Sequence, residues 1–446
     1  MKVSGWGKYP VVDGELITPQ NHQELIETLK NQKSVISRGN GRSYGDASLY
    51  NTMVSTLALN SIISLERDRM EITCEAGILL SDVLEYIVPK GFFLPVTPGT
   101  KYITLGGAIA ADVHGKNHHQ DGCFSQYVVN MKVLMSDGEV VNCNKSQNSD
   151  IFHMTCGGMG LTGIITEATI RLLPVETSFI HQDNIPFQSI EELVDLFQTH
   201  EADKYTVAWT DTININNQNL ISGILMIGKH ASLGSVKSLV KNAEQLCVPK
   251  KFKINIPFEM PSFVINKVLI GLYNRYYYWK SLRNRKLITH YESFFYPLDG
   301  ILNWNRLYGK NGFTQYQVVI PKEHIIVAWY EFINLMKRHG QYSMLTVLKM
   351  FGGSNVHAPM SFPLEGLSMA FDFKVNNKLL NMLNEMDAVV ERFGGRNYLA
   401  KDSRMTPEVF KNMYHVEAFR KFKSRFDVDK KFDSLQSKRL KIISNG

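Results

Sequence analysis

The sequence has no apolar run long enough to span a membrane, and its N-terminus, MKVSGWGKYP, lacks the apolar core of a signal peptide. The five cysteines are scattered and never stand in CxxC spacing, which argues against a disulfide framework and against a zinc site. Zinc-finger spacing, an RNA-binding aromatic signature and a long basic arm are missing as well, so no nucleic-acid partner is expected. Together these absences predict a protein of the reducing cytoplasmic compartment.

What is present is a composition typical of globular proteins. The 446 residues are 44% hydrophobic and 20% charged, which is enough for a large core and for two or three domains. The formal net charge of +7 is a moderate excess, compatible with an anionic cofactor, a phosphorylated substrate or a lipid surface.

A glycine-rich loop lies near the N-terminus, in the stretch VISRGNGRSYGDASL, and contains Gly39, Gly41 and Gly45. Its spacing is one residue off the dinucleotide fingerprint, and β-branched and turn residues follow where that fingerprint requires a helix. The absence of Gly-Lys-Ser/Thr also excludes a P-loop. Two interpretations remain from the residues alone, a backbone nest for phosphate oxygens and an ordinary tight turn.

Two further glycine loops follow in the first half of the chain. One is PVTPGTKYITLGGAIAADVHGKNHH, and the other is MTCGGMGLTG, which precedes the alternating strand pattern IITEATIRL. Between them, two β-rich runs meet at Asp137-Gly138, a hairpin signal. Three glycine loops, each next to a strand, offer enough backbone donors for a long diphosphate ligand.

The three loops resemble, in the same order, the FAD-binding domain of the vanillyl-alcohol oxidase type. Within that superfamily, ADVHGKNHH, FFYPLDGILNWNRLYGKNGFTQYQVVIP, LKMFG and YLAKDSR are similar to the decaprenylphosphoryl-β-D-ribose 2-oxidase family of flavoenzymes. The resemblance covers nearly the whole chain and implies an α+β fold of two domains. It places an FAD-binding domain at residues 1–176, an inserted α+β substrate-binding domain at 177–394 and a return to the FAD-binding domain at 395–446.

The resemblance also implies which residues hold FAD. Many relatives in the superfamily bond a histidine covalently to the flavin, but this chain has Arg42 there, so non-covalent FAD is expected. Arg42 then either meets a phosphate through its forked donors or is a solvated loop residue. The implied cofactor contacts are Arg38, Gly39, Asn40, Gly41, Arg42, Ser43, Tyr44, Gly45, Ala47, Pro98, Gly99, Thr100, Gly106, Gly107, Ala108, Asp112, Val113, His114, Gly115, Gly158, Gly160, Gly163, Ile164, Ile165, Tyr398 and Lys401.

The second half of the chain has a mixed pattern. SIEELVDLFQTH and HIIVAWYEFINLMKRHG predict amphipathic helices, and FTQYQVVIP predicts a strand. The segment at residues 262–286, SFVINKVLIGLYNRYYYWKSLRNRK, is apolar, then aromatic, then basic. Such an order suits a membrane headgroup layer, and the alternative is a helix packed on its own domain with a solvated basic end.

Three residues are the catalytic candidates: Lys401, His114 and Tyr44. By the resemblance Lys401 stabilises the negative charge of reduced flavin; the sequence alone favours a surface lysine paired with Asp402. His114 either accepts the substrate hydroxyl proton or positions the substrate. A metal site formed with the neighbouring histidines is rejected, because acidic and cysteine partners are missing and hydride transfer to flavin needs no metal.

The resemblance implies a substrate pocket above the flavin. Lys349 lies in an apolar run, where it meets either an anion or hydroxyls of a substrate, or a carboxylate across the strand. Ser368 replaces an asparagine of the family and Ala370 a cysteine, which leaves the sugar undetermined. The implied substrate contacts are Tyr308, Gln315, Gln317, Lys349, Ser368 and Tyr398.

The function implied is oxidation of the ribose 2-hydroxyl of a polyprenyl-phosphate ribofuranoside to a ketone by an FAD enzyme. A separate NAD(P)H-dependent short-chain reductase would complete epimerisation to the arabinose donor of cell-envelope glycans. Alternatives are an FAD-dependent oxidase of soluble aldonolactones or alditols and a flavin-containing binding protein without turnover. The lipid-linked substrate implies a cytoplasmic protein with a membrane surface as partner, peripheral on the inner membrane.

Overall fold

A computed structural model describes residues 1–215, 220–237, 246–248, 253–261, 263–353 and 357–443. The strands are β1 Lys2–Ser4, β2 Val11–Asp13, β3 Glu15–Ile17, β4 Ile36–Arg38, β5 Thr52–Ser55, β6 Ile62–Glu66, β7 Glu71–Glu75, β8 Phe92–Phe93, β9 Val128–Leu134, β10 Val140–Cys143, β11 Ile164–Arg171, β12 Leu173–Pro174, β13 Phe179–Phe187, β14 Tyr205–Asp211, β15 Ser222–His230, β16 Ile254–Asn255, β17 Lys286–His290, β18 Ile301–Leu302, β19 Phe313–Pro321, β20 Thr346–Phe351, β21 Gly366–Lys374 and β22 Arg396–Asn397. The α-helices are α1 His22–Asn31, α2 Leu80–Ile87, α3 Leu105–Ala110, α4 His118–Asp121, α5 Ser149–Thr155, α6 Ile190–Thr199, α7 Leu233–Lys237, α8 Lys267–Arg283, α9 Tyr291–Phe295, α10 Ile325–Arg338, α11 Asn377–Arg392, α12 Pro407–Met413, α13 Glu417–Phe426 and α14 Leu435–Arg439.

A three-stranded parallel sheet in the order β3-β5-β4 carries the first glycine loop. Helix α1 crosses from β3 to β4; its N-cap Asn21 accepts a hydrogen bond from the backbone N–H of Glu24, and it buries Leu25 and Leu29. After β4 the chain forms the glycine loop and returns as β5, with no helix at residues 39–51. The prediction that no dinucleotide-fingerprint helix opens at this loop is confirmed.

A five-stranded antiparallel sheet in the order β10-β9-β11-β7-β6 carries the third glycine loop. The predicted hairpin is present as β9 and β10, and Gly138 in its turn has φ 91°, a backbone conformation that favours glycine. The predicted strand at IITEATIRL is β11, which pairs with both β9 and β7. Both sequence predictions are confirmed.

An eight-stranded sheet in the order β17-β13-β15-β14-β20-β21-β19-β22 dominates the second half of the chain. The predicted helices are present as α6 and α10, and the predicted strand FTQYQVVIP is β19. Strands β19, β20 and β21 pair antiparallel in continuous register, so alternate side chains share one face. This face forms one wall of the site described below.

The segment after residue 395 contacts both halves of the molecule. Strand β22 pairs with β19, and Val35 forms a bridge with Phe432 beside the parallel sheet. Lys423 is 3% exposed, and its ammonium donates to the carbonyl oxygens of Leu161 and Phe432 and to the carboxylate of Asp427. These contacts support a C-terminal return to the first domain; the boundaries at residues 176 and 394 stay a prediction.

An aromatic cluster joins the two halves of the chain. Phe295 of α9 has its ring centroid 5.3 Å from that of Phe93 in β8 and 4.9 Å from that of Tyr205 in β14. All three side chains are buried. This cluster packs β8 and α9 against β14 of the eight-stranded sheet, so it holds elements of the first half of the chain against that sheet.

The buried Lys423 contacts generate a stability prediction. Lys423→Met leaves the Asp427 carboxylate buried without its partner, so we expect the free energy of unfolding to fall by about 3–5 kcal/mol. Denaturant unfolding followed by circular dichroism measures it. Lys421→Met on the exposed side of the same helix is the control, and equal stability of the two variants would contradict the prediction.

Candidate active site

A cavity of about 1180 Å³ lies between the three glycine loops and one face of the eight-stranded sheet. All six predicted substrate contacts line it: Tyr308, Gln315, Gln317, Lys349, Ser368 and Tyr398. Most of the predicted cofactor contacts line it too: Gly39, Asn40, Gly41, Arg42, Ser43, Tyr44, Ala47, Pro98, Gly99, Thr100, Gly106, Gly107, Val113, His114, Gly160, Gly163, Ile164, Ile165, Tyr398 and Lys401. The fold thus brings residues from distant parts of the chain to one cavity.

Six predicted cofactor contacts lie outside this lining: Arg38, Gly45, Ala108, Asp112, Gly115 and Gly158. Arg38 donates from its guanidinium to the Ser4 carbonyl oxygen at 2.7 Å. The buried Asp112 carboxylate accepts from the Ser361 hydroxyl at 2.6 Å and from the Ser125 backbone N–H at 3.1 Å. Arg38 and Asp112 thus bond to neighbouring segments of the chain, and the contact of all six residues with a cofactor stays a prediction.

The loop glycines allow a close approach of backbone to backbone. A Cβ atom at Gly39 would overlap the Thr104 hydroxyl, and Gly41 has φ 61°, which disfavours larger residues. At Gly99 a Cβ would meet nothing within 4 Å, so the backbone there borders open space. Donor-rich backbone beside a large cavity is the arrangement that a diphosphate-containing cofactor requires.

Arg42 lies between two aromatic rings at the edge of the cavity. Its guanidinium carbon is 3.9 Å from the centroid of the Trp6 ring and 5.4 Å from that of Tyr102. Asp299, which accepts from Thr100 at 2.7 Å, also attracts it electrostatically. With aromatic rings and a carboxylate as neighbours, Arg42 is not a freely solvated loop residue.

The first glycine loop closes onto the segment around Lys401. The Tyr44 backbone N–H donates to the Ala400 carbonyl oxygen at 3.0 Å, and a Cβ at Gly45 would overlap the Asp402 carbonyl oxygen. Arg439 secures this contact by donating at 2.8 Å both to Asp46 and to Asp402. The same residues that form the loop therefore determine where Lys401 lies.

Lys401 is a buried amine in an aromatic setting. Its Nζ lies 3.9 Å from the centroid of the Tyr44 ring. Burial lowers the pKa of Lys401 to about 7; the carboxyl of Asp372 opposes this shift and the positive charge of Lys349 adds to it. Within the described residues no ion pair joins this ammonium to Asp402, the alternative that the sequence alone favours. The lysine instead borders the cavity.

His114 is buried, and one of its ring nitrogens is already occupied. The Gln317 side-chain nitrogen lies 2.9 Å from His114 Nε2 and 3.1 Å from the Ser368 hydroxyl, and as an amide nitrogen it can only donate. Burial lowers the pKa of His114 well below its usual range, and the charges of Lys349 and Lys401 act in the same direction. With the Gln317 amide in this orientation, the ring is a neutral imidazole whose Nε2 accepts from Gln317 and whose Nδ1 carries the proton.

Side chains alternate between the two faces of a strand, and this alternation places polar residues on the face of the sheet that borders the cavity. Gln315 lies opposite Asp372 and Lys349 opposite Ser368 in the β-ladders. Burial lowers the pKa of Lys349 to about 8. Within the described residues Lys349 forms neither the cross-strand salt bridge weighed from the sequence nor another ion pair, so its ammonium is available to an anion or to sugar hydroxyls.

Sequence reasoning missed several residues of this site. Asp372 lines the cavity, and burial raises the pKa of its carboxyl to about 7. Lys116 also lines the cavity, where burial lowers its pKa to about 7. Asp372 stands two positions after Ala370 and four after Ser368. Residues at this spacing share one face of a strand, so the sequence pattern could have predicted that Asp372 belongs to the site. No local sequence pattern identifies Trp6 as a site residue, because its role depends on contact with Arg42, which lies 36 positions further along the chain.

Helix α8 forms one side of the cavity mouth. Its inner face packs on β14, where Asn274 donates to the Asp211 carboxylate at 2.8 Å and Tyr277 contacts Trp209. Leu272 and Tyr273 line the cavity and are 57% and 58% exposed. The helix covers most of the segment at 262–286, of which residue 262 lies outside the described residues. None of the described helices is both long and apolar enough to cross a membrane.

The chain matches a family model described as an FAD binding domain over residues 15–144. It is 34% identical to the decaprenylphosphoryl-beta-D-ribose oxidase of Mycolicibacterium smegmatis over 99% of this chain and 98% of that protein. It is 31% identical to the L-gulonolactone oxidase of Scyliorhinus torazame over 45% of this chain and 48% of that protein. A D-arabinono-1,4-lactone oxidase of Kluyveromyces lactis is 25% identical over 39% of this chain and 34% of that protein.

With the cavity and its glycine loops, these similarities define an FAD-dependent oxidoreductase that acts on alcohol groups, with the two-domain α+β fold of the vanillyl-alcohol oxidase type. The chain belongs to the decaprenylphosphoryl-β-D-ribose oxidase family. The resemblance identified in the sequence is therefore confirmed, as is FAD as the cofactor.

The contact between Gly45 and Asp402 generates a prediction about the cofactor. Gly45→Ala forces the loop away from the C-terminal segment at a cost of about 1–3 kcal/mol, so we expect FAD affinity to fall about tenfold or more. Flavin fluorescence during titration of the apoprotein measures it. Gly234→Ala, where a Cβ meets nothing within 4 Å, is the control. Unchanged FAD affinity in Gly45→Ala would show that this contact does not shape the site.

Proposed function

We propose that this protein oxidises the ribose 2-hydroxyl of a polyprenyl-phosphate ribofuranoside to the 2-keto product, the first half of epimerisation to an arabinofuranose donor. The observation that carries the proposal is similarity to a decaprenylphosphoryl-ribose oxidase over essentially both full chains, whereas the lactone oxidases align over less than half. The second half of the chain, which supplies the polar wall of the cavity, is thus shared with the ribose oxidase.

The proposed cofactor site is the set of glycine loops, with FAD bound non-covalently. Arg42 supports this, because an arginine cannot form the covalent histidine link of some relatives and its guanidinium lies over the Trp6 ring at the cavity. When bound, FAD supplies the oxidant that accepts a hydride from the substrate carbon. The contacts proposed for it are those predicted from the sequence, with Tyr398 and Lys401 from the C-terminal segment.

The proposed roles of the chain's own residues follow from their positions. Lys401 lies beside the Tyr44 ring, where its charged form stabilises negative charge that develops in the reaction. His114 orients substrate through the network with Gln317 and Ser368 and is a positioning residue, since its Nε2 is occupied. Lys349 offers its ammonium to the substrate phosphate or to sugar oxygens.

Helix α8 supports a lipid-linked substrate. It carries four basic residues and no acidic one, and its outward apolar side chains include Val268, 73% exposed, and Trp279, 47% exposed. Basic and aromatic residues beside exposed aliphatic ones suit the headgroup region of an anionic membrane. We therefore propose a peripheral position on the cytoplasmic face of the membrane, where a separate NAD(P)H-dependent short-chain reductase would use the ketone.

The substrate is tested by anaerobic visible spectroscopy of the FAD-loaded protein. We expect a short-chain prenyl-phosphoryl ribose to bleach the flavin band and aldonolactones and alditols to leave it unchanged. Lys401→Met should slow bleaching by about 10²-fold or more, because it removes preorganised charge from the site. Bleaching by soluble sugars alone would assign the protein to the lactone or alditol oxidases, and a yellow protein that no alcohol reduces would favour a binding role.

Membrane contact is tested by sedimentation with vesicles of phosphatidylglycerol and phosphatidylcholine. The double substitution Val268→Asp and Trp279→Asp replaces apolar surface outside the cavity lining, and each apolar side chain is worth about 1.5–3 kcal/mol when buried. We expect the double variant to lose at least about tenfold in vesicle affinity, with bleaching by a short-chain substrate unchanged. Val428→Asp, also on an exposed apolar residue, is the control. Equal binding of all three proteins would exclude α8 as the contact.

A further inference from the structure

Asp372 lines the cavity and has one unused acceptor oxygen. Its Oδ1 accepts from the Gln315 side-chain amide at 2.7 Å, while its Oδ2 is buried and has no hydrogen-bond partner among the described residues. The backbone is held firmly, because the Asp372 N–H donates to the Ser343 hydroxyl and to the Leu345 carbonyl oxygen. The free oxygen therefore has a fixed position, and burying it without a partner costs stability.

Apart from the lysine amines, which accept a proton only when uncharged, few buried atoms of the lining lack a hydrogen-bond partner among the described residues. In the part of the chain that the structure describes, the only other unpartnered buried polar side-chain atom of the lining is His114 Nδ1. That nitrogen carries the ring proton, because Nε2 accepts from Gln317. The His114 ring is thus a poor proton acceptor, and Asp372 Oδ2 offers the unused lone pair.

The electrostatic setting suits a base that works near neutral pH. Burial raises the pKa of Asp372 to about 7, and the ammonium of Lys401 limits this rise. Tyr44 and Tyr308, whose own pKa values burial raises well above the usual range, face it as neutral phenols. A carboxylate with a pKa near the working pH combines a useful population of the charged form with enough basicity.

We propose that Asp372 is the catalytic base that takes the proton of the substrate hydroxyl. As the carbon–hydrogen bond breaks, its electron pair leaves as a hydride to the FAD oxidant. The oxygen–hydrogen bond breaks, its electron pair forms the second bond of the ketone, and the proton goes to Asp372. The carboxylate is thus protonated, the alcohol is oxidised by two electrons and the FAD is reduced by two. The assignment rests on oxidation of an alcohol, so it applies to whichever alcohol the enzyme takes.

The variant Asp372→Asn tests this with little structural change, because the new side-chain oxygen still accepts from Gln315. We expect anaerobic flavin reduction by the prenyl-phosphoryl ribose to slow by about 10²–10⁴-fold. In the wild type the rate falls as pH drops below about 7, where Asp372 becomes protonated, and in the variant this fall is lost. Asp183→Asn, an exposed acid on β13 of the same sheet, is the control.

Two readouts that do not involve turnover separate catalysis from structure. Binding of substrate to the dithionite-reduced holoenzyme, measured by calorimetry, should change less than about threefold in Asp372→Asn, since a base contributes mainly in the transition state. We also expect the difference between the melting temperature of the variant and that of the wild type to increase as the pH is raised from about 4 to about 7. Across this window the wild-type carboxyl holds, in the folded state, a proton that the unfolded chain releases, so folded stability falls with pH.

The outcomes distinguish the two proposals. A wild type that no prenyl ribose reduces but that a lactone or alditol does reduce overturns the proposed substrate, and Asp372→Asn is then tested with that alcohol. A variant that reduces flavin at the wild-type rate, or that keeps the wild-type pH dependence, overturns the role of Asp372. A large loss of binding to the reduced enzyme would make Asp372 a binding residue and overturn the assignment as base.

Discussion

The site depends on one buried contact, in which the guanidinium of Arg439 binds two carboxylates from opposite ends of the chain, Asp46 and Asp402. Burial alone would raise the pKa of Asp402, but the charges of Arg439 and Arg404 outweigh it and hold the pKa below its usual value. Asp402 therefore stays ionised and bound, whereas burial raises the pKa of Asp46 and the contact with Arg439 opposes that rise. Because one acid follows Gly45 and the other follows Lys401, this contact sets the distance between the first glycine loop and the lysine.

A second constraint comes from the sheet. Continuous antiparallel register through β19, β20 and β21 places alternate residues on one face, and at the cavity this face carries amides, a hydroxyl, an ammonium and a carboxyl. A polar face inside a protein is costly unless its groups are paired or meet a ligand. Gln315 and Gln317 pair several of these groups, while Lys349 and one oxygen of Asp372 remain without partners in the described structure. The wall is thus built for a polar ligand.

The sequence predicted the features that depend on local geometry. The hairpin at Gly138, the strand β11, the helices α6 and α10 and the absence of a helix after Gly45 follow from turn chemistry and periodicity, which a short window of residues contains. The candidate site was predicted largely through glycines and a family resemblance. Trp6 over Arg42 and Arg439 over two distant acids could not be predicted, because each role exists only through contacts between remote segments. Six of the predicted cofactor contacts lie outside the lining of the cavity, and their role stays a prediction.

Three lysines border one cavity, and their charges affect the stability of the folded protein. Burial lowers the pKa of Lys116, Lys349 and Lys401 to about 7, 8 and 7. The folded protein therefore loses stability when these lysines become charged. Their mutual repulsion falls when an anion enters the cavity. An anionic ligand bound in this cavity thus acts on the folding equilibrium. We therefore expect the protein to be more stable with an anionic ligand bound than without one.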